Sequence, residues 1–157
     1  MRIHLLAVGT KMPEWVTTAT DEYAGRMPAH CQLVIKEIHA VKRTKKSERK
    51  RIMETEGQKL LAAIPEGAVV VALDVLGKSF SSEKLSRQLD DWMLGAQDVV
   101  LLVGGPDGLS PACLQRADMK WSLSELTLPH PLVRVVIAEQ LFRAWSILTN
   151  HPYHRAD

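Results

Sequence analysis

Apolar residues along the chain cluster in short blocks, separated by longer stretches in which apolar and polar residues mix. A block that is apolar almost throughout, such as 68–73 (AVVVAL) or 98–103 (DVVLLV), is typical of a parallel strand covered on both faces. The other blocks are as short, and each is followed by glycine, proline or polar residues. The predicted strands are 2–8, 31–38, 68–73, 98–103 and 120–123.

The mixed stretches between the strands predict helices, and several of their ends carry residues suited to helix termini. Serine is common at the N-cap of a helix, proline in its first turn, and glycine directly after its last turn. The predicted helices run over 13–27, from an N-cap at Ser47 to Ile64, from Ser81 or Ser82 to Leu94 before Gly95, over a short stretch after Ser110 and Pro111, and over 131–148.

Strands that alternate with helices predict an α/β fold with a mostly parallel sheet. The chain has 157 residues, of which 46% are hydrophobic, and this is enough to bury a sizeable core. No repeat or linker interrupts the pattern, so we expect residues 1–157 to form a single domain.

The last predicted helix, 131–148, has apolar residues around most of its circumference. A helix of this kind must be buried on nearly all sides. Two interpretations remain open, a central core helix and a subunit interface, and we favour the interface of a homodimer.

Positive charge is concentrated in one segment, 42–51 (KRTKKSERKR), which carries +6. The whole chain carries only +2, so the remaining residues sum to −4. Such a cluster suits the phosphate backbone of RNA, although a solvated helix face has the same composition.

The two cysteines, Cys31 and Cys113, lack the spacing of a zinc site or a CxxC motif, and we expect no metal. Free thiols without a signal peptide predict a reducing, cytoplasmic location. No apolar stretch approaches the roughly 20 residues that span a bilayer.

Residues 72–79 (ALDVLGKS) end like a phosphate-binding P-loop. The turn, however, contains Val75 and Leu76 in place of a glycine-rich stretch, so the backbone could not wrap a phosphate. We therefore predict a turn at Gly77 and Lys78 and no nucleotide hydrolysis.

Three other segments carry candidate chemistry, each with a simpler alternative. The loop 104–108 (GGPDG) follows a buried strand, where α/β sheets bind ligands, but it would also suit a tight turn. The segment 123–134 (LSELTLPHPLVR) offers apolar walls stiffened by two prolines, or a connector whose leucines enter the core. The tail 150–155 (NHPYHR) combines proton-transfer and anion-binding groups, or is a frayed terminus.

Taken together, AVGTKMP, LLVGGPDGLSP and SLSELTLPHPLVRVVIAEQLFRAW…TNHPYHR resemble the SPOUT-class ribosomal RNA methyltransferases of the H family, which modify a pseudouridine in large-subunit RNA. The resemblance covers essentially the whole chain. It implies an α/β fold with a C-terminal trefoil knot, a homodimer, ribosomal RNA or the ribosome as partner, and S-adenosylmethionine as methyl donor. By motif position, the donor would be held by Leu73, Gly104, Gly105, Leu123, Ser124, Glu125, Leu126, Thr127 and Leu128.

The acceptor nitrogen in this family carries a proton that must leave before or during methyl transfer. We expect His130, His154 or Tyr153 to handle that proton, and Arg155 to hold a phosphate or the developing negative charge. The tail could reach the cofactor of a partner subunit. The alternatives are a non-catalytic ribosome-binding or assembly factor with the same knot, and a methyltransferase of transfer RNA.

The basic segment gives the first testable prediction. Neutralising Lys42, Arg43, Lys45 and Lys46 should weaken binding to ribosomal RNA and flatten its salt dependence, since fewer counterions would be released. Titrations of RNA at several salt concentrations measure both effects. Unchanged binding would identify the segment as a solvated face.

Overall fold

The computed structural model describes residues 1–43 and 48–155 and shows an α/β fold. The strands are β1 (Arg2–Val8), β2 (Gln32–Ile38), β3 (Val69–Ser79), β4 (Val99–Val103) and β5 (Met119–Ser122). The helices are α1 (Glu14–Arg26), α2 (Arg49–Ala62), α3 (Ser82–Gly95), α4 (Pro111–Arg116) and α5 (His130–Leu148), followed by a 3-10 turn at Pro152–His154.

All five strands pair in parallel, in the order β2-β1-β4-β3-β5. The predicted fold class is therefore confirmed, and every predicted strand is present. In a parallel sheet the carboxyl ends of all strands lie along one edge, so the loops after β3, β4 and β5 are neighbours.

Alternate side chains of the strands enter two separate cores, as the twofold repeat of a strand requires. Leu5 and Leu101 face the core shared with α1, α3 and α5, whereas Leu6 and Leu102 face the core shared with α2 and α4. Because helices cover both faces of the sheet, the central strands are apolar almost throughout.

Helix α5 packs between α1 and α3 on the first face, and Ile137, Ala138 and Leu141 are fully buried there. The central core interpretation of this helix is therefore correct for one face. Leu132, Val135 and Val136 are covered only in part.

Strand β3 differs from the prediction because it continues to Ser79. Its register with β5 shifts between Leu73 and Lys78, so the residues between them bulge out of the sheet. A Cβ on Gly77 would lie 2.7 Å from the backbone of Lys120. The close approach of β5 therefore accounts for glycine at this position, and no turn is needed to explain it. The predicted turn at Gly77 and Lys78 is wrong, and the P-loop is absent because this segment is strand.

Helix ends follow the predicted chemistry with one exception. The hydroxyls of Ser81 and Ser110 accept hydrogen bonds from backbone N–H groups of α3 and α4, as N-cap residues do. At the end of α3, Ala96 instead of Gly95 takes the left-handed conformation, with φ of 57°. The predicted cap at Ser47, like the rest of 44–47, lies outside the described residues.

No helix in the described part of the chain is long and apolar enough to cross a membrane. Within residues 1–43 and 48–155, no group of three or more His, Cys, Asp or Glu side chains could hold a metal ion.

Candidate active site

A cavity of about 470 Å³ opens where β4 and β5 end, beside the bulge of β3. Ligands of open α/β sheets bind at this edge, and the size suits a small organic molecule. The bulge of β3, the loop after β4 and the loop after β5 form its walls. The predicted donor-binding residues that line it are Leu73, Gly104, Gly105, Leu123, Ser124, Leu126, Thr127 and Leu128.

Glu125, the remaining residue of the predicted set, is exposed and does not line the cavity. Asp74, which was not predicted, also lines the cavity and lies in the bulge of β3. Its side chain also accepts a hydrogen bond from the backbone of Leu76, at 3.2 Å, and so shapes the bulge. An isolated glycine within a strand, here Gly77, is the one local signal that could have indicated the bulge.

The loop after β4 is a compact turn with no room for a side chain at Gly104, where it begins. The N–H of Gly108 donates to the carbonyl of Gly105 at 2.9 Å. A Cβ on Gly104 would lie 2.5 Å from the backbone of Gly108, closer than real contacts allow. Glycine at 104 is therefore required for the turn to close beside the cavity.

The loop after β5 is held by its own serine. The hydroxyl of Ser124 accepts a hydrogen bond from the N–H of Leu126 at 2.9 Å, and Ser122 donates to the carbonyl of Ser124. Ser124 therefore shapes the cavity wall. Leu126 is 73% exposed at the rim.

His130 begins α5 at the cavity, and both of its ring nitrogens are engaged. Nδ1 lies 3.0 Å from the carbonyl oxygen of Gly104, and Nε2 lies 3.2 Å from Nε of Arg134. These partners fix the tautomer: Nδ1–H donates to the carbonyl, and Nε2 accepts from the guanidinium. His130 is therefore suited to positioning the loop after β4 and is poorly suited to accepting a proton.

Arg134 is only 2% exposed, although it carries a permanent charge. Its guanidinium donates to the carboxylate of Glu37 at 2.6 Å and to the carbonyl of Gly9 at 2.8 Å. With the contact to His130, one side chain ties together the carboxyl ends of β1, β2 and β4. Sequence reasoning did not assign a role to Arg134, Glu37 or Gly9.

The tail lies at the opposite end of α5. The ring of Tyr153 packs on Phe142, with centroids 4.7 Å apart, and lies near Tyr23 of α1. Phe142 follows His130 by three turns of helix, about 18 Å at the usual rise. The tail is thus packed and not frayed, and within one chain the structure does not bring Tyr153, His154 or Arg155 to the cavity.

Two features of the tail bear on its chemistry. Burial, with a hydrogen bond to Tyr23, raises the pKa of Tyr153 to about 12, so its phenol stays protonated at neutral pH. The Nδ1 atom of His154 is buried and has no hydrogen-bond partner among the described residues. Of these two groups, His154 is therefore the better proton acceptor.

Comparison with known proteins matches this fold and site to one family. The model of the family described as predicted SPOUT methyltransferases matches residues 1–154. The chain therefore belongs to the SPOUT methyltransferase family, as the sequence motifs indicated. It is 62% identical over 155 residues, 99% of both chains, to the ribosomal RNA large subunit methyltransferase H of Thioalkalivibrio sulfidiphilus.

A solved structure supports the fold independently of sequence. A probable methylase family protein from Haemophilus influenzae matches with a TM-score of 0.54 at 7% identity, over 99% of this chain and 70% of that chain. At so low an identity the match shows the fold alone.

The environment of His130 gives a prediction for stability. Burial, and next the nearby Arg134 charge, lower the pKa of His130 from its ordinary value of 6.5. Because the unfolded chain then binds the proton more readily, the wild type should lose stability as pH falls below 6.5, through the lowered pKa of the folded state. A His130→Gln variant lacks this contribution.

Urea unfolding of the two proteins between pH 5 and pH 8 measures the difference in their free energies of unfolding. The difference should be largest above about pH 6.5 and shrink below it. Parallel curves would contradict the assigned environment of His130.

Proposed function

We propose that the protein uses S-adenosylmethionine to methylate a ring nitrogen of a pseudouridine in large-subunit ribosomal RNA. We further propose that it acts in the cytoplasm, on the assembled ribosome, as a homodimer. Family membership carries the methyltransferase activity. The name of the relative that is 62% identical along the whole chain supports ribosomal RNA over transfer RNA.

The residues of the cavity fit the methyl donor. Leu73, Leu123 and Leu128 supply apolar walls for a flat heteroaromatic ring, and the glycines at 104 and 105 let a ligand approach the backbone. Asp74 supplies a carboxylate, which suits a donor that carries positive charge on its sulfonium and ammonium groups. The donor-binding role of Glu125 has less support because its side chain lies outside the cavity wall.

The bound donor would supply a methyl group on positively charged sulfur. The acceptor nitrogen forms the new N–C bond as the S–C bond breaks, and the chain must orient the base and take its proton. His130 holds the cavity wall through Gly104, and Tyr153 keeps its proton. We therefore assign proton acceptance to His154 and the binding of a phosphate, or of negative charge on the base, to Arg155.

A homodimer would bring these groups together. In a twofold pairing each surface meets its own copy, and helices α5 paired antiparallel would set the tail end of one beside the cavity end of the other. The partly covered apolar residues Leu132, Val135 and Val136, and the exposed Trp15 of α1, offer surface for such a contact. The tail of each subunit would then complete the cavity of its partner.

We also propose that residues 1–157 form one SPOUT domain with a C-terminal trefoil knot. Family membership supports the knot, as does the contact of His130 with Gly104, which binds the start of α5 to the loop after β4. The rival proposal, a non-catalytic ribosome-binding or assembly factor, differs in predicting no binding of the methyl donor.

Calorimetric titration with S-adenosylmethionine tests the cofactor. The wild type should bind, and Gly104→Leu or Gly104→Ala should abolish or strongly weaken binding, because a Cβ at 104 meets the backbone of Gly108. Gly95→Ala is the matched control, since a Cβ at 95 meets nothing within 4 Å. A wild type that binds no donor, alone or with ribosomes, would favour the non-catalytic factor.

Complementation tests the composite site. The Gly104→Leu variant and a Tyr153→Phe, His154→Ala, Arg155→Ala variant should each be inactive on ribosomes, and the second should still bind the donor. Mixed after dissociation, they should recover up to about a quarter of wild-type activity, because half of the dimers are mixed and each has one intact pair of cavity and tail. Methyl transfer from labelled donor to ribosomal RNA measures recovery.

Two outcomes would contradict the composite site. Full activity of the triple variant would remove the tail from the mechanism. Inactive mixtures that nevertheless contain mixed dimers would place the cavity and the tail of one site in the same chain.

A further inference from the structure

Arg43 lies in the basic segment 42–51, yet its side chain is directed into the protein. The residue is exposed, as are Lys42, Arg49 and Arg51, but only 31% of its side-chain surface is accessible. Its Nε–H donates to the carboxylate of Asp107 at 3.1 Å, and its Nη2 lies 3.4 Å from the carboxylate of Glu56. Arg43 is thus paired with two acids, and this reduces its availability to an RNA phosphate.

Glu56 is the buried partner in this cluster, at 2% exposure on α2. A buried carboxylate needs charged or hydrogen-bonding partners, since leaving it unpaired is strongly unfavourable. Besides Arg43, it accepts a hydrogen bond from the backbone N–H of Val41 at 3.0 Å. These contacts fix the segment after β2 onto α2.

The same cluster supports the loop after β4 from behind. A Cβ on Gly105 would lie 3.0 Å from Oε1 of Glu56 and 3.3 Å from Nη2 of Arg43, so the backbone at 105 packs directly on the ion pair. Gly105 also lines the cavity. Asp107, in the centre of the same turn, is absent from the lining and is held by Arg43.

We propose that Arg43 is a positioning residue of the methyl-donor site. Through Glu56 and Asp107 it holds the turn 104–108 in the conformation that forms the cavity wall. The role in donor binding rests on the proposed function, whereas the role in fixing the turn does not. Arg43 thus differs in role from Lys42, Arg49 and Arg51, for which the structure shows no such pair of acidic partners among the described residues.

Donor binding is the first readout. Arg43→Gln and Asp107→Asn should each weaken S-adenosylmethionine binding about tenfold, as expected for one charge-assisted contact. The double variant should be little weaker than Arg43→Gln, because that variant already removes the contact with Asp107. In steady-state assays KM for the donor should rise and KM for ribosomes should stay near that of the wild type.

Arg51→Gln is the matched control, since it removes the same charge from an exposed position of the same segment. It should bind the donor like the wild type and lose affinity only for RNA. Arg43→Lys, which keeps the charge but lacks the planar fork, should recover donor binding in part.

Hydrogen exchange of the backbone N–H of Gly108 is the second readout, and it requires no ligand. This amide closes the turn by its bond to Gly105. It should exchange faster in Arg43→Gln and Asp107→Asn than in the wild type or Arg51→Gln, while exchange in the strands stays unchanged.

The outcomes separate this proposal from the proposed function. A wild type that binds no donor, with faster exchange at 108 in the variants, would refute the cofactor assignment and keep Arg43 as the support of the turn. A wild type that binds donor, with Arg43→Gln equal to Arg51→Gln in donor affinity and in exchange, would overturn the role of Arg43.

Discussion

The buried guanidinium of Arg134 is the contact on which the candidate site depends. Parallel strands leave their carboxyl ends on one edge of the sheet, but pairing along the strands does not fix the loops beyond them. Arg134 reaches Glu37 near the end of β2, Gly9 after β1 and, through His130, Gly104 after β4. The guanidinium has a permanent charge and donors spread over three nitrogens in one plane, so it can hold three acceptors that lie in different directions. The geometry of the cavity therefore follows from one residue of α5.

The loop after β4 is held from both faces of the sheet. His130 binds the carbonyl of Gly104 from the side of α5, and the Arg43–Glu56 pair packs on Gly105 from the side of α2. The turn has glycine at 104, where a side chain would collide with the backbone of Gly108. Fixing the turn before the ligand arrives reduces the entropy lost on binding. Charged groups outside the cavity can in this way serve a site whose walls are mostly apolar.

Local patterns were sufficient for most of the fold. Strands that are apolar on both faces and serines at helix starts predicted the elements and the parallel sheet, because each signal reflects burial or hydrogen bonding within a few residues. The failures came from contacts between distant segments. The extension of β3 to Ser79 depends on pairing with β5, and the inward direction of Arg43 depends on Glu56 and Asp107. Of the nine donor-binding residues predicted from motifs, eight line the cavity. The motifs did not indicate Asp74 or the contacts of Arg134.

The tail shows how far a single chain can account for the site. The ring of Tyr153 packs on Phe142 and lies near Tyr23. Nδ1 of His154, in contrast, is buried without a hydrogen-bond partner in the described part of the chain. Among residues 1–43 and 48–155, the titratable groups in the wall of the cavity, three helical turns away, are Asp74 and His130, and His130 already has two partners. The chain thus separates a rigid ligand cavity from the group best suited to take a proton. In the proposed homodimer, an antiparallel pairing of α5 would bring the two groups together without unpacking the tail.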